Sequence, residues 1–261
     1  MGTTSFVRRL PSTPKPAPKS AASTPRVRQR GSAPGALRQT PATTAYLSDS
    51  HLATFGGLPA IPDSLRLVAI TDDLRDGIDG LGARAAAAVR GGATMIQLRL
   101  KDLDPRDLLL AARALVSLPV PVIVNDRADV ALAAGAAGAH IGVGDVPALA
   151  LRRVVPPGFI IGASVGTDDE VAASAGADYV GIGPVFPTTT RTDVGVALGL
   201  PEFTRLAQRT GLPAVAIGGI NASNYRDALG AGACGVGVIR AIFAAPDPER
   251  AARELSSATG T

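Results

Sequence analysis

Residues 120–145 decide the fold, and they read VPVIVNDRADVALAAGAAGAHIGVGD. This stretch contains two apolar, strand-like runs at 120–124 and 137–143, and an aspartate, Asp126 or Asp145, follows each run. Strand and helix patterns alternate in this way along the whole chain, which predicts parallel strands whose carboxyl ends lie on one rim. Two carboxylates at neighbouring strand ends can share one hard cation such as Mg²⁺, which prefers oxygen ligands.

The composition indicates a core-forming part preceded by a polar extension. Of 261 residues, 46% are hydrophobic and only 3% aromatic, which suits a core of Val, Ile, Leu and Ala. Residues 1–60 hold eight of the 26 Lys and Arg residues but a single acid, Asp49, so the remainder carries a net negative charge and nucleic-acid binding is not expected. The lone cysteine, Cys234, is interpreted as a small core residue of a cytosolic protein.

Residues 1–60 are predicted to form a disordered tail. They contain eight prolines and fifteen Ser or Thr residues and lack hydrophobic periodicity, so they cannot bury enough apolar surface to offset chain entropy. Their Arg-rich and acid-poor composition also resembles an organellar transit peptide, although a solvated extension or a misassigned start is a simpler explanation. No apolar run approaches the ~18 residues of a membrane span. We therefore expect residues 61–261 to form the catalytic domain.

Eight strand-like runs begin at Arg66, and segments rich in Ala, Leu and Arg at helical spacing separate them. A Gly-Ala repeat precedes every even-numbered run, where the glycine would take the left-handed conformation that ends a helix. Eight such units in about 200 residues predict an α/β fold, a (β/α)₈ TIM barrel. The runs cover residues 66–71, 94–98, 120–124, 137–142, 159–163, 178–182, 213–217 and 233–238.

Polar residues are concentrated where the predicted strands end, as expected for the catalytic face of a barrel. Gln97, Arg99 and Lys101 follow the second strand with a period of two, so all three face one side. Lys101 is the only lysine after residue 60, which favours phosphate binding or Schiff-base chemistry over a solvated loop lysine. The next three strands lead to Asn125, Asp126, Asp145 and Ser164.

A second anion site is predicted near strands six to eight. Gly218 and Gly219 follow the seventh strand and match a phosphate cradle, in which backbone N–H groups approach the ligand without a Cβ in the way. The alternative is a simple turn, since Gly-Gly alone is weak evidence for a cradle. His140 lies inside the fourth strand and is interpreted as a core histidine hydrogen-bonded to backbone rather than as a base. Further donors come from the loop at 183–191 and the end of strand eight: Thr188, Thr190, Arg191, Ile239 and Arg240.

Together these motifs resemble the thiamine phosphate synthase family. The resemblance covers residues 66–258 and rests on six motifs in order: IQLRLK (96–101), VNDR (124–127), GAHIG (138–142), IGAS (161–164), GIGPVFPTTT (181–190) and AIGGIN (216–221). The family joins hydroxymethylpyrimidine diphosphate to a thiazole phosphate and releases diphosphate. Its mechanism is dissociative, since diphosphate leaves before the thiazole nitrogen captures a pyrimidine-methyl cation. The resemblance therefore implies a magnesium-dependent transferase with two small-molecule substrates and no catalytic His or Cys.

The resemblance also implies a role for each candidate residue. Asp126 and Asp145 would hold Mg²⁺, and the catalytic candidates are Arg99, Lys101 and Ser164. The pyrimidine substrate and its diphosphate would be bound by Gln97, Arg99, Lys101, Asn125 and Ser164. The thiazole phosphate would be bound by Thr188, Thr190, Arg191, Gly219, Ile239 and Arg240. The sequence leaves open whether the chain forms a homo-oligomer.

Four departures from the family pattern bear on this interpretation. Val143-Gly144 replaces Gln-Glu or Gln-Asp, Gly166 replaces a common His, and Arg191 and Arg240 replace a common Lys and Ser. Gly166 argues against the main alternative, the thiazole tautomerase branch, which relies on a His at that position and does not need diphosphate-binding residues. A Schiff-base lyase using Lys101 would not explain the paired aspartates, and a non-catalytic ligand sensor is the remaining alternative.

Overall fold

The computed structural model describes residues 61–101, 103–188 and 196–257. Eight parallel strands form a closed barrel in which each strand pairs with the next and β8 pairs with β1. All eight predicted strands are confirmed, with ends that shift by two residues at most, and so is the predicted TIM barrel. The strands are β1 Leu67–Ile70, β2 Met95–Leu98, β3 Val122–Asn125, β4 Gly138–Ile141, β5 Ile160–Val165, β6 Tyr179–Ile182, β7 Ala214–Ile217 and β8 Gly235–Val238.

Helices alternate with the strands and surround the barrel. Asp104 begins α3 and Asp247 begins α10 by accepting a backbone N–H of the first turn, and each is followed by a proline whose missing N–H costs the helix nothing there. Within the described residues no helix is long and apolar enough to cross a membrane. The helices are α1 Ile61–Ser64, α2 Gly77–Arg90, α3 Pro105–Leu115, α4 Ala128–Ala134, α5 Ala148–Arg152, α6 Asp168–Ala173, α7 Gly199–Thr210, α8 Tyr225–Gly230, α9 Arg240–Phe243 and α10 Pro248–Ser256.

The Gly-Ala repeat marks the turns that lead from helices into the even-numbered strands. Gly92, Gly135, Gly176 and Gly232 have φ values of 106°, 73°, 91° and 96°, all in the left-handed region that side chains with a Cβ disfavour. The predicted role of this repeat is confirmed. Because the requirement is local to one residue, it could be predicted from the sequence alone.

Two apolar clusters form the core, one on each side of the strands. Leu67 and Ala69 face the helices, whereas Val68 and Ile70 face the barrel interior, as the period of two requires. The interior also contains Cys234, whose half-buried thiol donates to the Ala214 carbonyl at 3.2 Å. Burial raises the pKa of this thiol to about 11, so it stays protonated and inert, as expected for a core residue.

The amino-terminal end of the described chain packs against the barrel interior. Leu65 is fully buried, and Ile61 of α1 packs against the same cluster. We expect a chain that begins at Ile61 to keep the melting temperature and the kinetics of the full chain, because residues 1–60 lack core periodicity. Removing Ile61 as well should lower the melting temperature by about 2 to 4 °C. Thermal melts and steady-state rates of both truncations test this, and lost activity in the first would refute the dispensable tail.

Candidate active site

The predicted polar residues of β2 and β3 lie together at the carboxyl rim of the barrel. Gln97 is buried in the interior, and its Nε2 lies 3.5 Å from Asn125 Oδ1. The fully buried Thr71 holds the neighbouring backbone, since its Oγ1 accepts from the Arg99 N–H at 2.8 Å and donates to the Arg99 carbonyl at 3.1 Å. This anchoring fixes the point at which the Arg99 side chain leaves the rim.

The two candidate metal ligands flank Gly142. Asp126 adopts φ 62°, an unusual conformation for a residue with a side chain, and its N–H donates to the His140 carbonyl at 2.7 Å. Asp145 Oδ2 accepts from the Gly142 N–H at 2.7 Å. A Cβ added to Gly142 would lie 3.4 Å from Asp145 Oδ2 and 3.9 Å from Asp126 Oδ1. The structure therefore brings both carboxylates to one place.

The electrostatics of this pair fit a divalent cation. Partial burial raises the pKa of Asp126, and the neighbouring Asp145 raises it further by its negative charge and a shared hydrogen bond. Arg99 and Lys101 act in the opposite direction, which shows that both cations lie near the pair. Two carboxylates that repel each other are stabilised by a cation between them. No group of three His, Cys, Asp or Glu side chains placed to hold a metal ion occurs among the described residues. Water and substrate oxygens would complete the coordination of an ion held by this pair.

A cavity of about 600 Å³ opens beside this pair at the ends of β4 to β8. Glycines contribute much of its wall, which leaves backbone groups accessible. Of the predicted substrate-binding residues, the cavity is lined by Ser164, Thr188, Gly219, Ile239 and Arg240. Thr190 and Arg191 lie outside the described residues.

Gly218 and Gly219 have φ values of 92° and 70° and lie against the loop that follows β6. A Cβ on Gly218 would lie 2.6 Å from Pro184 Cα, and one on Gly219 would lie 2.7 Å from the carbonyl oxygens of Phe186 and Pro187. Backbone conformation and close packing thus both require glycine here. The phosphate-binding role of Gly219 stays a prediction.

A second cavity of about 370 Å³ lies at the ends of β1, β2 and β8. Arg99 and Asp72 line it, together with Arg240 and Ile239, which also line the larger cavity. The exposed Arg240 therefore stands between the two cavities. The sequence predicts two separate anionic sites and assigns Arg240 to one of them, but in the structure Arg240 borders both cavities.

His140 lies in the core as predicted, with 4% of its surface exposed, and two side-chain hydroxyls lie within hydrogen-bond distance of its ring nitrogens. Nδ1 lies 3.0 Å from Tyr179 Oη, and Nε2 lies 3.1 Å from Ser164 Oγ. Tyr179 is the residue that sequence reasoning missed. Its signal was present in Gly162 and Gly181, which leave interior space that a neighbouring ring can fill.

Val143 and Gly166, two of the positions that depart from the family pattern, lie at the rim of the large cavity. Val143 is 63% exposed and borders the large cavity together with Gly166. The Gly166 N–H donates to Glu170 Oε2 at 2.5 Å, and a Cβ at this position would meet that oxygen at 3.4 Å. A side chain at this position would therefore begin in ordinary van der Waals contact with the Glu170 carboxylate.

Comparison with known proteins identifies the family. Residues 67–242 match the family model described as thiamine monophosphate synthase, from β1 to α9. The chain belongs to the thiamine monophosphate synthase family. The matched region includes every candidate site residue named above and all the residues that line the larger cavity.

Relatives in the thiamine monophosphate synthase family match most of the described barrel. The thiamine-phosphate synthase of Roseiflexus sp. strain RS-1 is 45% identical over 71% of this chain and 81% of its own. That of Methanoculleus marisnigri is 50% identical over 66% of this chain and 84% of its own. A solved structure, thiamine phosphate pyrophosphorylase from Pyrococcus furiosus, is 36% identical with a TM-score of 0.68 and covers 76% of this chain and 96% of its own.

Proposed function

We propose that this chain is a thiamine-phosphate synthase that transfers a pyrimidine-methyl group from hydroxymethylpyrimidine diphosphate to the ring nitrogen of a thiazole phosphate. The observation that carries the proposal is the pair Asp126 and Asp145 beside Arg99 and Lys101, next to a separate cavity of about 600 Å³. One substrate must lose a diphosphate and the other is held by a monophosphate. The region of Asp126 and Asp145 suits the diphosphate, and the large cavity suits the thiazole phosphate.

The diphosphate side has to stabilise a leaving group of high negative charge. Arg99, Lys101 and Asn125 are proposed to bind the diphosphate, and Asp126 and Asp145 to hold Mg²⁺, which supplies additional positive charge to the leaving oxygens. As the C–O bond breaks, the diphosphate leaves with the bonding electron pair. Gln97 and Ser164 are proposed to orient the pyrimidine so that its methylene carbon faces the second substrate.

The thiazole side has to present a neutral nitrogen to the pyrimidine-methyl cation. The nitrogen lone pair forms the new C–N bond, and no proton has to be removed from it, so a general base is unnecessary. Thr188, Gly219, Ile239 and Arg240 are proposed to bind the thiazole phosphate within the cavity that they line. Thr190 and Arg191 are proposed to join them from the sequence alone.

Incubation with both substrates and Mg²⁺ tests the proposed function, with thiamine phosphate and diphosphate measured as products. We expect equal amounts of the two, and no product when either substrate is omitted. Conversion of the thiazole phosphate alone into an isomer would favour a tautomerase instead. Borohydride trapping of a carbonyl substrate on Lys101 would favour the Schiff-base lyase. The cytosolic location and a homo-oligomeric state remain predictions.

Replacing Arg240 by alanine should raise KM for the thiazole phosphate by about tenfold, the effect of one charge-assisted hydrogen bond. KM for the pyrimidine diphosphate should change by less than about twofold, because Arg240 is proposed to bind the other substrate. Steady-state kinetics with each substrate varied in turn measure both values. Arg250→Ala is the matched control, because Arg250 lies on the outer surface of α10 with 75% of its side chain exposed. A larger rise in the pyrimidine KM would assign Arg240 to the second cavity, with Arg99.

A further inference from the structure

We propose that Tyr179 and His140 are positioning residues that orient the Ser164 hydroxyl, so that its proton points into the substrate cavity. The three side chains form a continuous hydrogen-bonded row from the barrel interior to the cavity wall. This inference rests on the proposed function, in which Ser164 contacts the pyrimidine side. It assigns a purpose to two buried polar groups that the proposed chemistry does not use directly.

The row is well defined by distance and burial. Tyr179 is 2% exposed, and its Oη lies 3.0 Å from His140 Nδ1. His140 is 4% exposed, and its Nε2 lies 3.1 Å from Ser164 Oγ. The two rings are tilted by 43° with centroids 5.5 Å apart, so they meet through their polar atoms rather than by stacking. Ser164 itself lines the large cavity.

The direction of the hydrogen bonds follows from the phenol. Burial raises the pKa of Tyr179 far above its usual value, and the negative charge of Asp178 adds to the effect, so Oη keeps its proton. Among the described residues, His140 Nδ1 is the acceptor within reach of that proton. An Nδ1 that accepts leaves the proton of a neutral imidazole on Nε2, which donates to Ser164 Oγ. Ser164 then uses its own proton for a group in the cavity.

Two glycines provide the space that this arrangement needs. A Cβ on Gly162 would lie 2.3 Å from Tyr179 Cζ and 2.5 Å from His140 Nδ1. A Cβ on Gly181 would lie 3.0 Å from His140 Cε1. A Cβ on Gly162 would therefore overlap both rings, and one on Gly181 would press tightly against the imidazole. The strands β5 and β6 therefore leave room for the row by omitting two side chains.

A double-mutant cycle separates positioning from packing. Tyr179→Phe removes one hydroxyl and should lower kcat about five- to tenfold, since Ser164 loses its preferred orientation. In a Ser164→Ala background the same change should alter kcat by less than about twofold, because the group it acts through is gone. Tyr225→Phe is the matched control, since Tyr225 is equally buried but bonds to Arg226 in α8. Equal losses in both backgrounds, or an unchanged kcat in Tyr179→Phe, would refute the proposal.

The imidazole tautomer gives a readout that needs no turnover. The chain contains two histidines, His51 and His140, so His51→Gln leaves a single imidazole for ¹⁵N NMR. We expect His140 to carry its proton on Nε2 and to lose this preference in Tyr179→Phe. A proton on Nδ1 in the His51→Gln protein would overturn the proposed direction of the row. An inactive wild-type protein, in contrast, would refute the proposed function and leave this measurement unaffected.

Discussion

Asp126→Asn is expected to lower kcat on the order of 100-fold or more while the barrel still folds, and Asp145→Asn should do the same. An amide fills the volume of the carboxylate but binds Mg²⁺ poorly, so the charge that stabilises the departing diphosphate is lost. Steady-state rates over a range of Mg²⁺ concentrations measure the effect. Asp129→Asn is the matched control. Asp129 lies on α4, forms an ion pair with Arg127 at 2.6 Å, and lines neither cavity.

Two further measurements make the metal prediction sharper. EDTA should abolish activity and added Mg²⁺ should restore it, and calorimetry should show weaker Mg²⁺ binding in both variants. Without Mg²⁺, Asp145→Asn should melt no lower than the wild type, because the charge of Asp145 raises the pKa of Asp126 and so makes its ionised form costly at neutral pH. Near-normal rates in either variant at limiting Mg²⁺ would mean that the two carboxylates do not hold the ion.

Lys101→Ala is expected to lower kcat/KM for the pyrimidine diphosphate by an amount equivalent to about 2 to 4 kcal/mol of transition-state stabilisation. Lys101 is exposed at the rim, and its charge lowers the pKa of Asp126, so it lies close enough to act on the same leaving group. Kinetics with the pyrimidine diphosphate varied at saturating thiazole phosphate measure this loss. Kinetics with the thiazole phosphate varied should show a nearly unchanged KM.

The control for Lys101 has to separate charge at the rim from charge in general. Arg106→Ala removes an exposed cation five residues further along, at the start of α3, and should leave both KM values unchanged. Lys101→Arg should recover part of the lost rate, since it restores the charge but not the compact ammonium. If Lys101→Ala behaves like Arg106→Ala, Lys101 is a solvated loop lysine after all.

The sequence by itself determined the barrel and the identity of most candidate residues. Strand positions follow from apolar runs such as 120–124, and the turns follow from glycines such as Gly135, whose left-handed conformation is a local requirement. Because parallel strands end on one rim, the sequence could also predict that Asp126 and Asp145 would lie near each other. Each of these inferences depends on short-range sequence patterns, which can be interpreted without knowledge of the tertiary contacts.

Only the tertiary structure decided how these residues meet. The left-handed backbone of Asp126 occurs together with a hydrogen bond to the His140 carbonyl on the neighbouring strand, and Arg240 lies between two cavities where β8 ends beside Arg99 of the β2 rim. The row from Tyr179 through His140 to Ser164 joins three strands across interior space that Gly162 and Gly181 leave open. Such contacts depend on distances between residues far apart in the chain, which barrel closure and side-chain packing fix and local sequence patterns do not encode.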